Sequence, residues 1–159
     1  MTSSAVPLVQ AEQGRAAARD AAGIWARATA RRDQLPVVPL PKDKLPGIES
    51  ALGLDGALLL IARLEGKAMA FSVVIPRSDV LEVLYLAVDP TAWGTGLARR
   101  LLDHLQEHSR SEKTPMELWV IADNSRAIAA YENAGWTPTS DVKVRNSSGR
   151  PERRYILSR

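Results

Sequence analysis

An α/β chain with a mixed central sheet and helices packed on its faces is predicted, on three observations. Apolar strand-like runs and helix-period segments follow one another in the order β-α-α-β-β-β-α-β-α-β-β. Residues 80–88 are apolar at nearly every position, the pattern of a strand covered on both faces. A glycine-rich turn, Trp93-Gly94-Thr95-Gly96, leads from that strand into an amphipathic helix. At 159 residues, 45% hydrophobic and 25% charged, the chain reads as one domain over 1–159 with room for a core.

The elements can be justified in order. Residues 6–10 suit a short first strand. Residues 14–32 place Ala17, Ala21, Ile24, Trp25 and Ala28 on one helical face. Four prolines in 35–46 predict a loop, followed by a short helix at 48–52. Residues 57–64 and 67–75 are strands joined by Glu65-Gly66. The strand at 80–88 ends at Asp89-Pro90. The helix over 97–109 puts Leu97, Ala98, Leu101, Leu102 and Leu105 within about 140° of its circumference. A strand at 117–122 and a helix at 125–134 follow, with Asn124 placed to cap its start and Gly135 its end. Turn residues at 146–149 separate 142–145 from 153–157, which predicts a closing hairpin.

Composition excludes several classes of function. There are no cysteines, hence no disulfides, thiolate metal site or cysteinyl acyl-enzyme. Residues 1–10 lack the basic start and apolar run of a signal peptide, and no stretch approaches ~20 apolar residues. A cytoplasmic location and no membrane partner are expected. The charge of +3 suits an anionic ligand, but eight aromatics in 159 residues argue against a nucleic-acid partner. His104-Leu105-Gln106-Glu107-His108 matches the His-x-x-Glu-His spacing of a zinc-peptidase class. No third ligand accompanies it, so no metal is expected. The tail cations Lys143, Arg145, Arg150, Arg153, Arg154 and Arg159 suit a solvated hairpin, with attraction of an acidic substrate the alternative.

The glycine turn is the richest functional signal. A helix start offers unpaired N–H groups and a partial positive charge to an anion. Three readings compete. A Walker loop fails for want of Gly-Lys-Ser/Thr. A dinucleotide fingerprint fails at its third glycine, where Arg99 stands. The third pattern is Gln/Arg-x-x-Gly-x-Gly/Ala after a Val-x-Pro strand end. Val88-Asp89-Pro90 and Trp93-Gly94-Thr95-Gly96-Leu97-Ala98 match it except at Trp93. Arg99 and Arg100 sit in the first helical turn, where a cation is disfavoured by ~0.3–1 kcal/mol. A bound pyrophosphate would offset that; solvation near Asp103 and Glu107 is the plainer account.

That third pattern, together with Asn124-x-x-Ala127-x-x-x-Tyr131-x-x-x-Gly135-Trp136, resembles the paired motifs of the GNAT superfamily of N-acetyltransferases. The motifs span residues 80–136. The resemblance implies a GNAT-like fold: six to seven strands, about four helices, and two parallel strands splayed at an acetyl-CoA site. It implies that the backbone of Leu86, Ala87 and Val88 holds the pantetheine arm, with Asn124 opposite. The cradle would be Trp93, Gly94, Thr95, Gly96, Leu97, Ala98 and Arg99, joined by Arg126 and Ala127.

Acetyl transfer by direct attack of a primary amine needs a base, an acid and an oxyanion donor. Tyr131 occupies the family's thiolate-protonating position. Glu82, the one carboxylate of 80–88, is the candidate base, although some relatives use water chains. It shares alternation with Leu84, Leu86 and Val88 unless a bulge intervenes. The N–H near Val88 is the expected oxyanion donor. The acceptor pocket is expected among the first helix, the Pro-rich loop and strand 80–88, with Trp25 and Tyr85 as walls. A small-molecule amine is the expected partner, for a monomer or homodimer. A non-catalytic acyl-CoA-binding module and a protein N-acetyltransferase are the alternatives.

Overall fold

The computed structural model describes residues 6–158. The first residues of the amino-terminal stretch read above, 1–5, and Arg159 of the basic tail lie outside them. The order is β1 (Leu8–Glu12), α1 (Arg15–Arg32), α2 (Pro41–Leu52), β2 (Leu58–Leu64), β3 (Lys67–Pro76), β4 (Leu81–Val88), α3 (Leu97–Glu112), β5 (Met116–Ile121), α4 (Ser125–Asn133), β6 (Thr137–Val144) and β7 (Pro151–Leu157). A short 3-10 turn, Pro90–Ala92, links β4 to the glycine turn. The strands form one sheet ordered β1-β2-β3-β4-β5-β7-β6.

Each face of the sheet carries its own core. On one side α3 and α4 bury Leu101, Leu102, Leu105 and Tyr131 against Met69, Val83, Leu118 and Tyr155. On the other, α1 and α2 bury Ala17, Ala21, Ala22, Ile24 and Ile48 against Ile61, Phe71 and Val73. The alanines let α1 lie close on the sheet, with Ile24 and Trp25 as its large contributions to that core.

Helix α2 corrects the sequence reading. The proline-rich run predicted as loop through residue 46 turns helical at Pro41. Pro41 is the first helical residue, where the missing N–H would have no partner anyway. Asp43 accepts a hydrogen bond from the Leu40 N–H at 3.2 Å. Pro46 removes one internal bond just beyond the first turn, and burial of Ile48 and Ala51 outweighs that loss. The closing hairpin is also longer than predicted, because β6 begins at Thr137 and is irregular between Pro138 and Val142.

Two irregularities position the site. Strands β4 and β5 are the parallel pair, but they pair only over Leu81↔Met116, Glu82↔Glu117 and Val83↔Leu118. Beyond that point they diverge, while β5 continues to pair with β7 as far as Ile121↔Glu152. At the same level β4 carries a bulge: Val73 pairs with Tyr85 and Val74 with Val83, leaving Leu84 extra. The bulge reverses the alternation. Leu81, Val83, Leu86 and Val88 face α3, whereas Leu84, Tyr85 and Ala87 face α1. The expected alignment of Glu82 with Leu86 and Val88 on one face is therefore broken.

Candidate active site

The divergence of β4 and β5 opens a groove of about 1040 Å³ between the two cores. Its walls include β4 from Val83 to Val88, the glycine turn, the start of α4, Tyr131, and the α1 residues Trp25, Ala28, Thr29, Arg31 and Arg32. The Pro-rich loop, expected as a wall, does not line it. Residues of β5 and of the β6–β7 hairpin, among them Trp119, Arg145, Arg150 and Glu152, stand there instead.

Along β4 the backbone direction can be read from its partners. The Asp89 N–H donates to Met69 O of β3 at 2.7 Å. Alternation then turns the N–H groups of Val88 and Leu86 into the groove and that of Ala87 toward β3. Of the three residues that the resemblance implies for this backbone contact, Leu86 and Val88 turn their N–H groups into the groove and Ala87 does not. The Val88 carbonyl is already engaged, accepting from the Trp93 indole N–H at 2.9 Å.

The glycine turn is built as a cradle. Gly94 and Gly96 have φ of 82° and 85°, values that favour glycine. A Cβ added to either would meet no atom within 4 Å, so both glycines face open space. The first helical acceptor, Gly96 O, takes the Arg100 N–H at 3.2 Å. The N–H groups of Leu97, Ala98 and Arg99 precede it and have no partner within the helix. Thr95 does not line the groove; its hydroxyl donates to Ala92 O at 2.6 Å and closes the turn. Arg99 is engaged elsewhere, donating to Asp103 at 3.0 Å and to Asn133 O at 3.0 Å. The placement of that cation therefore needs no bound anion to explain it.

Trp93 departs from the family motif, and the structure shows what it does. The Arg126 guanidinium stacks 3.9 Å from its ring centroid, and Arg31 lies 6.0 Å away on α1. Stacking of this kind orients a guanidinium at little entropic cost. Arg126 lines the groove at the start of α4, so a cation reaches the cradle through Trp93 rather than from position 93 itself. Asn124 caps α4 as expected, its side-chain oxygen accepting from the Ala127 N–H at 3.3 Å. Asn124 also lines the groove. The exit of α4 is a Schellman turn: Trp136 N–H to Tyr131 O at 3.0 Å, Gly135 N–H to Glu132 O at 3.1 Å.

The turn is held from behind by Asp89, which sequence reading took only as a strand stop. Its buried carboxylate accepts from Arg27 of α1 at 2.6 Å and from the Thr91 N–H and hydroxyl at 3.1 and 2.8 Å. Burial pushes its pKa up, but the Thr91 and Arg27 hydrogen bonds outweigh that and hold it below the usual value.

Tyr131 is buried between Trp136 and Tyr155, with ring centroids 6.2 and 6.5 Å away. Its side chain lines the groove. Burial pushes its pKa up to about 12, the Arg32 charge across the groove opposing weakly. Burial raises Tyr85 and Tyr155 in the same direction. A pKa raised by folding stabilises the protein fully below the unfolded value near 10 and is lost as pH climbs through the folded value. We therefore expect unfolding free energy to fall by about 3 kcal/mol between pH 9 and 12, and Tyr131→Phe to remove most of that slope. Urea titrations at the two pH values measure it. Equal stabilities would refute the shift.

Glu82 is buried, but not alone. Arg77 donates to one oxygen at 3.0 Å and Arg145 to the other at 3.1 Å. It lines a side recess of about 160 Å³ with Leu84, Trp119, Arg145 and Glu152, rather than the main groove. Both carboxylate oxygens are thus committed to cations, which weakens Glu82 as a base. Trp25 and Tyr85 both line the groove and also pack on each other, centroids 5.1 Å apart. They are wall and core at once. His104 and His108 belong to no metal-binding group among the described residues. No helix is long and apolar enough to cross a membrane among them.

Comparison with known proteins agrees with this fold. The family model described as Acetyltransferase (GNAT) family matches residues 25–136. A mycothiol acetyltransferase of Beutenbergia cavernae is 37% identical over 87 residues, 54% of this chain and 26% of its own length. The ribosomal protein bS18 alanine N-acetyltransferase of Escherichia coli K12 is 38% identical over 72 residues, 45% of this chain and 49% of its own. The matched segments thus span no more than about half of either relative. The crystal structure of the E. coli ribosomal-protein-S18-alanine N-acetyltransferase superposes with a TM-score of 0.75 at 24% identity, covering 96% of this chain and 93% of that one. The PaiA N-acetyltransferase of Thermoplasma acidophilum, solved with coenzyme A, gives 0.70 at 12% identity, covering 96% and 99%. At these identities the superpositions speak for the fold alone.

Proposed function

The chain belongs to the GNAT acetyltransferase family, and from that premise we propose that it transfers an acetyl group from acetyl-CoA to a primary amine. The carrying observation is the open gap between β4 and β5, with a glycine cradle at one end and Tyr131 beside it. Acetyl-CoA fits these residues. Its pyrophosphate suits the free N–H groups of Leu97, Ala98 and Arg99, with Arg126 adding charge. Its peptide-like arm suits the inward N–H groups of Leu86 and Val88, with Asn124 opposite. The thioester supplies the acyl group, and the chain's own residues hold both reactants in line.

Tyr131 then serves the departing sulfur. A phenol near pKa 12 is a poor acid toward a thiolate whose conjugate acid is near ~8.5. Full proton donation is uphill, so Tyr131 acts as a fixed hydrogen-bond donor to the developing thiolate. The Val88 N–H is the oxyanion donor of this reading.

A small-molecule amine is the acceptor we favour, enclosed by Trp25, Tyr85 and Trp119. A polypeptide amino terminus is the second reading. Leu35, Val37, Val38 and Leu40 are exposed after α1, and Arg150 ties the start of that segment, Asp33, to Asp123 at 2.9 Å on each side. An apolar surface there would suit a peptide more than a polar metabolite. Acetyl-CoA should raise the thermal unfolding midpoint by several degrees. Thiol release should follow on adding an amine from a panel of amino sugars, polyamines, amino acid amides and short peptides. No shift and no release would sink the proposal; release with peptides alone would select the second reading.

A further inference from the structure

Three carboxylates border the groove and its side recess: Glu82, Asp123 and Glu152. Two are neutralised by arginine. Glu82 is held by Arg77 and Arg145, and Asp123 by Arg150. Glu152 alone has no ion-pair partner among the described residues. One of its oxygens accepts from the Asn146 amide at 2.8 Å, and the same amide nitrogen donates to Arg150 O at 2.9 Å. Asn146 thereby fixes the orientation of the carboxylate without neutralising it.

The register places this charge well. Glu152 on β7 is paired with Ile121 at the end of β5, where β5 has already parted from β4. Its side chain falls on the sheet face of Trp119, opposite the Leu118 and Val120 side that packs on α3 and α4. That is the α1 side of the gap, across from the cradle and Tyr131. Glu152 lines both the groove and the recess.

We propose that Glu152, not Glu82, binds the ammonium of the acceptor and takes its proton. The inference rests on the acetyltransferase reading and assigns a residue within it. In the step, one ammonium proton passes to the Glu152 carboxylate and frees the nitrogen lone pair. That pair forms the N–C bond to the thioester carbonyl, whose π pair moves onto oxygen. The oxyanion re-forms the carbonyl as the C–S bond breaks and its electrons leave on sulfur. The second nitrogen proton goes to the thiolate within the hydrogen bond of Tyr131. Glu152 then returns its proton to water. The charged groups around it are Lys143 on β6, Arg145 just after it, Arg150 in the turn, Glu82 on β4, Asp123 after β5, and Arg31 and Arg32 on α1.

The test compares wild type, Glu152→Gln, Glu152→Asp and Glu82→Gln on an amine that wild type acetylates. For Glu152→Gln we expect kcat/KM for the amine to fall about 100-fold at pH 7.5. The loss should shrink as pH approaches the pKa of the amine, where free base no longer needs a proton acceptor. Affinity for acetyl-CoA should stay within twofold, and Glu152→Asp should recover at least a tenth of wild-type rate. A Glu152→Gln enzyme within threefold of wild type, or a loss equal at every pH, overturns the assignment while leaving the transferase reading standing. So does a Glu82→Gln variant that alone shows the pH-dependent loss. A wild type that binds acetyl-CoA but acetylates no amine overturns both.

Discussion

Tyr131→Phe should lower kcat about 100-fold and leave the KM for acetyl-CoA within twofold. The hydroxyl has no partner among the described residues, yet it lines the groove. A donor of that kind binds nothing in the resting protein and waits for charge that develops later. Removing it costs transition-state stabilisation, and 100-fold corresponds to ~2.7 kcal/mol. Stability at neutral pH should hardly change, because the hydroxyl opens on the groove and its removal orphans no partner among the described residues. The raised pKa adds a second signature. A donor that stays protonated to about pH 12 gives wild type no descending limb from this residue below about pH 11. Pre-steady-state thiol release across pH 7–11 measures both. A variant within threefold of wild type would exclude Tyr131 from the chemistry.

What the sequence disclosed and what it hid divide by range. Asn124 and Gly135 flank one helix, so local spacing predicted both caps, and the observed Schellman turn matches the expected stop; Tyr131 was singled out by the motif it shares with the family. The glycine turn was legible for the same reason. Helix α2 was obscured by weighing prolines as breakers without regard to position, whereas Pro41 starts a helix. The bulge at Leu84 left no mark in a strand apolar at nearly every position, yet it decides which face each β4 residue serves. The partners of Glu82 were hidden by distance. Arg145 reaches it across 63 positions, and only the placement of the β6–β7 hairpin beyond β5 brings them together. Trp119, Asn146 and Glu152 join the site through the same long-range pairing. Alternation along β5 set Trp119 apart from Leu118 and Val120, but nothing local named the strand opposite.

Gly96→Ala separates the fold from the cradle more sharply than any core substitution can. In the protein alone the added methyl meets no atom within 4 Å, so no packing is lost. The backbone cost remains: φ of 85° is left-handed, and an alanine there costs ~1–2 kcal/mol. Global stability should drop by that amount, and the chain should stay folded. Ligand binding should suffer more, because on the proposed reading the open space before Gly96 receives the pyrophosphate. A methyl there holds a phosphate off the N–H groups of Leu97, Ala98 and Arg99. Charge-assisted hydrogen bonds weaken steeply with distance, so losing two of them lowers affinity by about 100-fold at ~1.4 kcal/mol per tenfold. Isothermal titration with coenzyme A, beside urea unfolding of the same variant, reads the two effects independently. Unfolded protein would mean the turn is structural first. Folded protein with unchanged affinity would place the pyrophosphate away from this turn and take the central argument for acetyl-CoA with it.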